Sequence, residues 1–324
     1  MKLLVTGGAG FIGCNFIRLI LSKYPNYQVV NLDALTYAGH PENLADIANH
    51  PHYRFIKGDI TDAEFLAQLF ATESFDACLN FAAESHVDRS ILDANLFVKT
   101  NILGTNLLLQ ACRQAKIKRY IQVSTDEVYG SLGPEGLFTE ETPVSPNSPY
   151  SASKASADLF VKAYFETYQF PAMITRCSNN YGPYQFPEKL IPLFILNAMQ
   201  GQSVPVYGDG LNVRDWIFVD DHCRAIDRVL HHGQLGEVYN IGGNNERTNL
   251  EITHHILQQL DKPTSLIMHV TDRLGHDRRY AIDNAKIKRD LGWEPEVVFE
   301  EGLNQTIAWY RQNNAWIRQV TSKN

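Results

Sequence analysis

Leu3-Leu4-Val5-Thr6-Gly7-Gly8-Ala9-Gly10-Phe11-Ile12-Gly13 decides how the chain is read. A short apolar run enters a glycine loop and leaves it as an apolar helix over 11–21. Gly8, Gly10 and Gly13 satisfy G-x-G-x-x-G between a strand and a helix, while Gly7, Gly10 and Gly13 give a G-x-x-G-x-x-G spacing. Such glycines permit a tight turn, close backbone approach to a pyrophosphate, and tight packing of helix on sheet. The phosphates then lie at the positive N-terminus of the helix. Gln28-Val29-Val30-Asn31-Leu32 reads as the next strand and ends at Asp33, 20 residues after Gly13. An acidic side chain there binds adenosine ribose hydroxyls, and its charge disfavours a 2′-phosphate. NAD is therefore the expected cofactor; a plain turn aspartate is the competing reading.

Working outward, strands and helices keep alternating. A strand over 53–56 leads to Gly58-Asp59-Ile60 and a helix over 62–72. A buried strand over 75–81 ends in Ala82-Ala83-Glu84-Ser85, where small residues let a flat cofactor approach the backbone. The segment 93–115 reads as one long helix with apolar residues on more than one side, among them Leu96, Phe97, Leu103 and Leu108. One sheet cannot cover so wide a surface, so a homodimer built on this helix and a helix over 152–168 is expected. Strands over 120–123 and 172–177 complete the pattern. It predicts an α/β, Rossmann-type doubly wound parallel sheet, with ligands at the carboxyl ends of the strands.

Beyond about residue 180 the elements become irregular and broken by Pro and Gly. The expected division is a cofactor domain over 1–180 and a smaller, mixed C-terminal substrate domain over 181–210 and 243–324. Residues 211–242 are expected to return to the main sheet, as a strand over 213–219, a helix over 220–231 and a last strand over 238–241. The segment 130–149, with four prolines and three glycines, is read as a functional loop of the lid type.

Two polar clusters bound that loop: Ser124-Thr125-Asp126-Glu127 at a strand end, and Tyr150-Ser151-Ala152-Ser153-Lys154 at a helix start. Tyr150 and Lys154 are four apart and share a helix face. A nearby ammonium favours a phenolate, so the tyrosine can transfer protons. Adjacent carboxylates provide a second acid/base pair, because each charge raises the other's pKa. The competing readings are a surface Tyr/Lys pair and two acids solvating a strand end.

The 324 residues carry a net charge of -7, with 44% hydrophobic and 20% charged residues. That balance excludes gross disorder and argues against a nucleic-acid surface. Cys14, Cys78, Cys112, Cys177 and Cys223 are widely spaced in apolar runs and read as buried thiols of a reducing compartment. No cationic-apolar leader precedes the first strand, and no apolar run approaches the roughly 20 residues of a membrane span. A cytoplasmic protein that does not engage membranes is expected. The pairs His231-His232 and His254-His255 lack metal-ligand spacing and are read as surface residues, with no metal site expected.

With these residues in view, the chain resembles the extended short-chain dehydrogenase/reductase family of nucleotide-sugar enzymes, and within it the 4,6-dehydratases. The resemblance rests on the glycine stretch and on Leu32-Asp33-Ala34-Leu35-Thr36-Tyr37-Ala38-Gly39. It rests further on Ala82-Ala83-Glu84-Ser85-His86-Val87-Asp88-Arg89-Ser90, Thr125-Asp126-Glu127-Val128-Tyr129-Gly130 and Tyr150-x-x-x-Lys154. Arg176-Cys177-Ser178-Asn179-Asn180-Tyr181-Gly182-Pro183 and Gly275-His276-Asp277-Arg278-Arg279-Tyr280 complete it. The Thr-Asp-Glu triplet is its most specific part, since related epimerases usually lack the paired acids.

The resemblance implies an NAD-dependent lyase acting on dTDP-glucose, with UDP-glucose the alternative nucleotide. Catalysis would fall to Thr125, Asp126, Glu127, Tyr150 and Lys154. The cofactor would be held by Gly7, Gly10, Phe11, Ile12, Gly13, Asp33, Thr36, Asp59, Ile60, Ala82, Ala83, Thr100, Tyr150, Lys154 and Asn180. For the substrate it implies Ser85, Thr125, Asn179, Lys189, Leu190, Pro205, Tyr207, Arg214, Asn249, Arg273 and His276. Tyr207 and Pro205 read as an apolar wall for base or sugar, with core packing the competing reading. Where the family has Arg-Pro-Gly-His, this chain has Arg273-Leu274-Gly275-His276, and a looser loop is expected without the proline. A nucleotide-sugar C4 epimerase is the alternative enzyme, and a non-catalytic NAD-sensing protein the alternative of another class.

Overall fold

The computed structural model describes residues 1–322. Its strands are β1 (Lys2–Thr6), β2 (Gln28–Asp33), β3 (Tyr53–Lys57), β4 (Ala77–Asn80), β5 (Arg119–Thr125), β6 (Ala172–Cys177), β7 (Asn179–Tyr181), β8 (Val204–Tyr207), β9 (Val213–Phe218), β10 (Val238–Ile241), β11 (Glu246–Thr248) and β12 (Ile267–Val270). Seven of them form one sheet in the order β10-β6-β5-β4-β1-β2-β3. Every neighbouring pair is parallel. Parallel strands need crossovers, and the crossover helices cover both faces.

On one face, Phe16, Ile17 and Ile20 of helix Phe11–Lys23 share a core with Ile226, Val229 and Leu230 of helix Val219–His232. On the other, Leu66 and Leu69 of Ala63–Thr72 join Leu108 and Leu109 of Thr105–Gln114 and Val161 of Pro149–Tyr168. A strand covered on both sides reads as an unbroken apolar run, and Leu3, Leu4 and Val5 are fully buried. Each such side chain contributes about 1.5–3 kcal/mol. Strand order reverses between β1 and β4, which opens a crevice at their carboxyl ends.

The segment 211–242 only partly returns to this sheet. β10 joins it beside β6, and helix Val219–His232 lies on its face, but β9 does not enter. β9 pairs parallel with β7 and antiparallel with β11 in a separate three-stranded sheet. Its Trp216 and Phe218 pack with Tyr181, Phe299, Leu303 and Ile307 in the core of the second lobe. A six-residue buried strand carries the same apolar pattern in either sheet, so periodicity could not assign it.

Two helices also differ from the sequence reading. The expected 93–115 helix runs from Asn95 to Gln114 but widens to a π-helical stretch over Val98–Gly104 between Asn95–Phe97 and Thr105–Gln114; a separate helix, Val87–Leu92, precedes it. Gly104 sits in that stretch, where a Cβ would meet the Ile60 side chain at 2.8 Å. The helix that bears Tyr150 and Lys154 starts at Pro149 rather than 152, because Ser148 and Ser151 form a reciprocal cap and Pro149 occupies the first turn.

The loop over 130–149 is strapped down rather than free. Leu132 and Phe138 donate their N–H groups to the Arg279 and Ala281 carbonyls (3.0 and 2.9 Å), and Asp283 donates back to Phe138 (2.9 Å). Phe138 is buried with Tyr129, Tyr280 and Ile282.

His231 departs from the expected surface position. It lies half-buried in the last turn of helix Val219–His232, its Nδ1 3.0 Å from Asp227 Oδ1 and its Nε2 3.0 Å from the Tyr27 hydroxyl. The Asp227 carboxylate raises its pKa, against the opposing effect of burial. A raised histidine stabilises the fold fully below its unfolded pKa, and that contribution is lost as pH rises through the folded value. His231→Gln is therefore expected to cost about 1 kcal/mol at pH 6 and little at pH 8.5, read from thermal unfolding at the two pH values.

Candidate active site

The crevice between β1 and β4 widens into a cavity that begins at the glycine loop. Gly7 has a φ of +70°, and a Cβ there would lie 2.5 Å from the Ala82 nitrogen; one on Gly13 would lie 2.5 Å from the Gly7 carbonyl oxygen. Glycine is thus required both for the turn and for its approach to β4. Asp33, at the end of β2, accepts the Ala9 and Leu35 N–H groups at 2.9 and 2.8 Å. Burial raises its carboxyl, and these two donors oppose the rise. A carboxylate has about four acceptor positions, so capacity remains for ribose hydroxyls.

The other residues expected to hold the cofactor line the same cavity: Gly10, Phe11, Ile12, Thr36, Asp59, Ile60, Ala82, Ala83, Thr100 and Asn180, with Tyr150 and Lys154 at its far end. Glycine cradle, helix N-terminus and terminal acid together fit a dinucleotide without a 2′-phosphate.

β5 delivers the Thr125-Asp126-Glu127 triplet to that far end. Thr125 closes the strand, and its Oγ1 accepts the Glu127 N–H (3.2 Å) and donates to Asp126 Oδ1 (3.3 Å). Asp126 is 1% exposed, and its Oδ2 has no hydrogen-bond partner among the described residues. Burial pushes the Asp126 carboxyl well above the ordinary range, and the Glu127 and Asp215 carboxylates add to the rise. Burial also raises Glu127, but Arg214, Lys189 and Arg273 pull it back. Two adjacent acids are thus placed in unequal fields. One is suited to hold a proton and its neighbour to take one.

Tyr150 is buried in the first turn of Pro149–Tyr168, its N–H bonded to Ser90 Oγ (3.1 Å) and its ring edge-on to Phe97 at 6.3 Å. The sequence reading expects Lys154 to lower this phenol. Among the protein's own groups the opposite holds: burial, then Glu127, raises Tyr150 well above its usual value. Lys154, itself pushed down by burial, donates to the Val123 carbonyl at 2.7 Å.

A second cavity adjoins the first, and Ser85, Glu127, Asn179, Asn180, Gln185, Glu188 and Lys189 line both. Leu190, Pro205, Tyr207, Arg214, Asn249, Arg273 and His276 line the second alone. Lys189 donates to the Ser85 carbonyl (2.7 Å). Arg214 sits on β9, buried, with its guanidinium 4.3 Å from the Tyr280 ring centre and one Nη2 N–H given to the Asp277 carbonyl (2.9 Å). Asn249 is buried, and its Oδ1 is unpartnered among the described residues. His276 Nδ1 lies 2.6 Å from Asp272. Tyr207 carries Arg273 over its ring at 5.2 Å and the His276 edge at 6.2 Å, so it belongs to the cavity wall.

Sequence reasoning passed over the residues that support this shell. Asp215, Asp277 and Tyr280 raise Asp126 or seat Arg214, and Asp277 also accepts from Asn147 at 2.6 Å. Glu84 is 2% exposed and lines the first cavity beside Ser85. Glu84, Asp277 and Tyr280 fall in stretches that carry the family resemblance, but nothing local assigns their partners, because the Asn147–Asp277 and Arg214–Asp277 bonds span 130 and 63 residues.

Comparison with known proteins places this geometry. Residues 4–306 match the family model described as GDP-mannose 4,6 dehydratase. A dTDP-glucose 4,6-dehydratase of Xanthomonas campestris pv. campestris is 53% identical, over 98% of this chain and 95% of that protein. DesIV, a dTDP-glucose 4,6-dehydratase from Streptomyces venezuelae solved with NAD bound, superposes with a TM-score of 0.96 at 52% identity, over 99% of this chain and 100% of that one. A UDP-glucose 4-epimerase from Thermotoga maritima shares the fold at a TM-score of 0.90 but 30% identity, covering 96% and 99%. The chain belongs to the nucleotide-sugar 4,6-dehydratases that the family model describes, in the branch of the dTDP-glucose 4,6-dehydratases.

Proposed function

We propose that the protein converts dTDP-glucose into dTDP-4-keto-6-deoxyglucose and water. One observation carries this reading: Glu127 lies where the two cavities meet, with Asp126, Thr125, Tyr150 and Lys154 on the cofactor side of it. A sugar entering the second cavity would reach the acids and the tyrosine together. An epimerase has no use for the paired acids, and an NAD sensor has none for the whole set.

Water does not leave C6 of an unactivated hexose, whereas a ketone at C4 makes the C5 proton acidic. The glycine loop and Asp33 would hold NAD in the first cavity, and it would supply the hydride acceptor for C4 and the donor for C6. Tyr150 accepts the 4-hydroxyl proton as the phenolate, which Lys154 and the positive charge of a bound nicotinamide would favour against burial and Glu127; Lys154 also ties the helix to β5 through the Val123 carbonyl. Thr125 redirects its hydroxyl from Asp126 to the C4 oxygen. Glu127 then removes the C5 proton while Asp126 donates to the departing 6-hydroxyl, as their unequal surroundings favour; when C6 receives hydride, Glu127 returns the proton to C5, and the proton taken by Tyr150 replaces the one Asp126 gave to water. Lys189, Arg214 and Arg273 face the diphosphate, with Asn179 and Asn249 as neutral partners; Arg suits bidentate phosphate contact. Leu190, Pro205 and Tyr207 wall the base or sugar.

Five free, buried cysteines suit a cytoplasmic setting. A homodimer is supported by exposed apolar side chains on two neighbouring helical segments: Leu96 (45%) and Leu103 (46%) on one, Leu159 (56%) and Phe160 (39%) on the other. Sedimentation at micromolar concentration is expected to show a dimer for the protein and a monomer for Leu159→Glu.

Incubation with dTDP-glucose should yield the 4-keto-6-deoxy product, and UDP-glucose much less. Asp126→Asn or Glu127→Gln should lower turnover by about 10²–10⁴ while leaving dTDP binding intact. Full turnover by either variant, or a product that keeps its C6 hydroxyl, would defeat the assignment. Elimination needs Glu127 ionised and Asp126 protonated, and both carboxyls are raised. The pH profile of kcat should therefore be a bell, its acidic limb above the ordinary glutamate pKa and its alkaline limb carried by Asp126. The Asp126→Asn variant should lose that alkaline limb.

A further inference from the structure

Asp88 carries no role so far, yet it sits at the mouth of the substrate cavity beside Tyr207, Arg273 and His276. It lies on helix Val87–Leu92, which follows β4 of the main sheet. Arg273 comes from the second lobe, 185 residues away, and grips Asp88 side-on: Nε to Oδ1 at 2.5 Å and Nη2 to Oδ2 at 2.9 Å. The Tyr207 hydroxyl reaches the same Oδ2 at 3.5 Å, and the Tyr207 ring lies under the guanidinium. The loop that carries Arg273 has little packing of its own. Leu274 is 77% exposed, and Gly275 takes a φ of +63°.

A guanidinium has five N–H donors in a rigid fork. Asp88 takes the Nε/Nη2 edge, which leaves the Nη1/Nη2 end for another anion. We propose that Asp88 is a positioning residue for the diphosphate of the substrate. It fixes Arg273 across the gap between the lobes, so that the free end of the fork meets a phosphate without first being ordered. The cost of immobilising a long, rotamer-rich side chain is then met before the ligand arrives. The inference rests on the assignment of Arg273 to the diphosphate, and it concerns binding rather than the proton transfers.

Calorimetric titration of the NAD-loaded protein with dTDP tests it, because dTDP carries the diphosphate but no sugar and needs no turnover. Asp88→Asn keeps the shape and removes the charge. It should weaken dTDP binding about tenfold, the scale of one charge-assisted hydrogen bond, and raise KM for dTDP-glucose similarly with kcat within about twofold. Asp88→Glu should recover part of the loss. In an Arg273→Gln background, Asp88→Asn should add nothing further.

Unchanged or tighter dTDP binding by Asp88→Asn would overturn the proposal, since Asp88 would then be idle or a competitor of the phosphate. A full additional loss in the Arg273→Gln background would overturn it too. So would an Arg273→Gln variant that binds dTDP normally, which leaves Asp88 nothing to position. Failure of the functional reading looks different: the protein would bind dTDP with these dependences and release no 4-keto-6-deoxy product.

Discussion

A carboxylate removed from water must find a cation, a donor or a proton. That constraint shapes the centre of this molecule. Asp126 and Glu127 are adjacent in sequence just past the end of β5, the first buried and the second half-buried, yet they meet it differently. Glu127 faces three cations and can remain charged, while Asp126 faces two carboxylates and is driven to keep its proton. The cations assigned to the diphosphate are the same three that hold Glu127 down. Substrate recognition and base strength thus draw on one set of charges, and a bound diphosphate that neutralises them would make Glu127 more basic as the substrate arrives.

The main sheet was readable because each of its signals is local. The glycine run, the strand ending at Asp33 and the small residues after β4 lie within a few positions of the structure they produce. The triplet after β5 and the Tyr150/Lys154 spacing were local as well. The second lobe was less legible. β7, β11 and β12 have three or four residues each, too short for a period to declare itself. β9 could be seen as a strand but not assigned to a sheet. The π-helical stretch over Val98–Gly104 and the close approach of Gly104 to Ile60 leave no mark that a propensity scale can read.

Within the site, the residues that face ligand were easier to find than those that hold them. The resemblance gave Arg214 a role as a ligand of substrate, whereas Tyr280 and Asp277, though inside a quoted motif, had no role until the fold showed that they seat it. Asp88 and His231 belong to the same class: each acts through a partner that folding brings close. The surroundings of Tyr150 show the same limit of local spacing. Spacing put an ammonium near the phenol, but tertiary packing turned that ammonium toward Val123 and set two carboxylates among the phenol's neighbours.

The order of the chain has a consequence for how the protein is made. Every strand of the seven-stranded sheet has been synthesised by Ile241, whereas the substrate chamber still lacks Arg273, His276 and Tyr280. Domains generally fold as units, N-terminal first, while the chain emerges from the ribosome. The dinucleotide half can therefore assemble before the C-terminal part of its partner lobe has emerged. During that interval the glycine cradle is complete, while the sugar pocket over the acids still lacks the side that Arg273, His276 and Tyr280 supply.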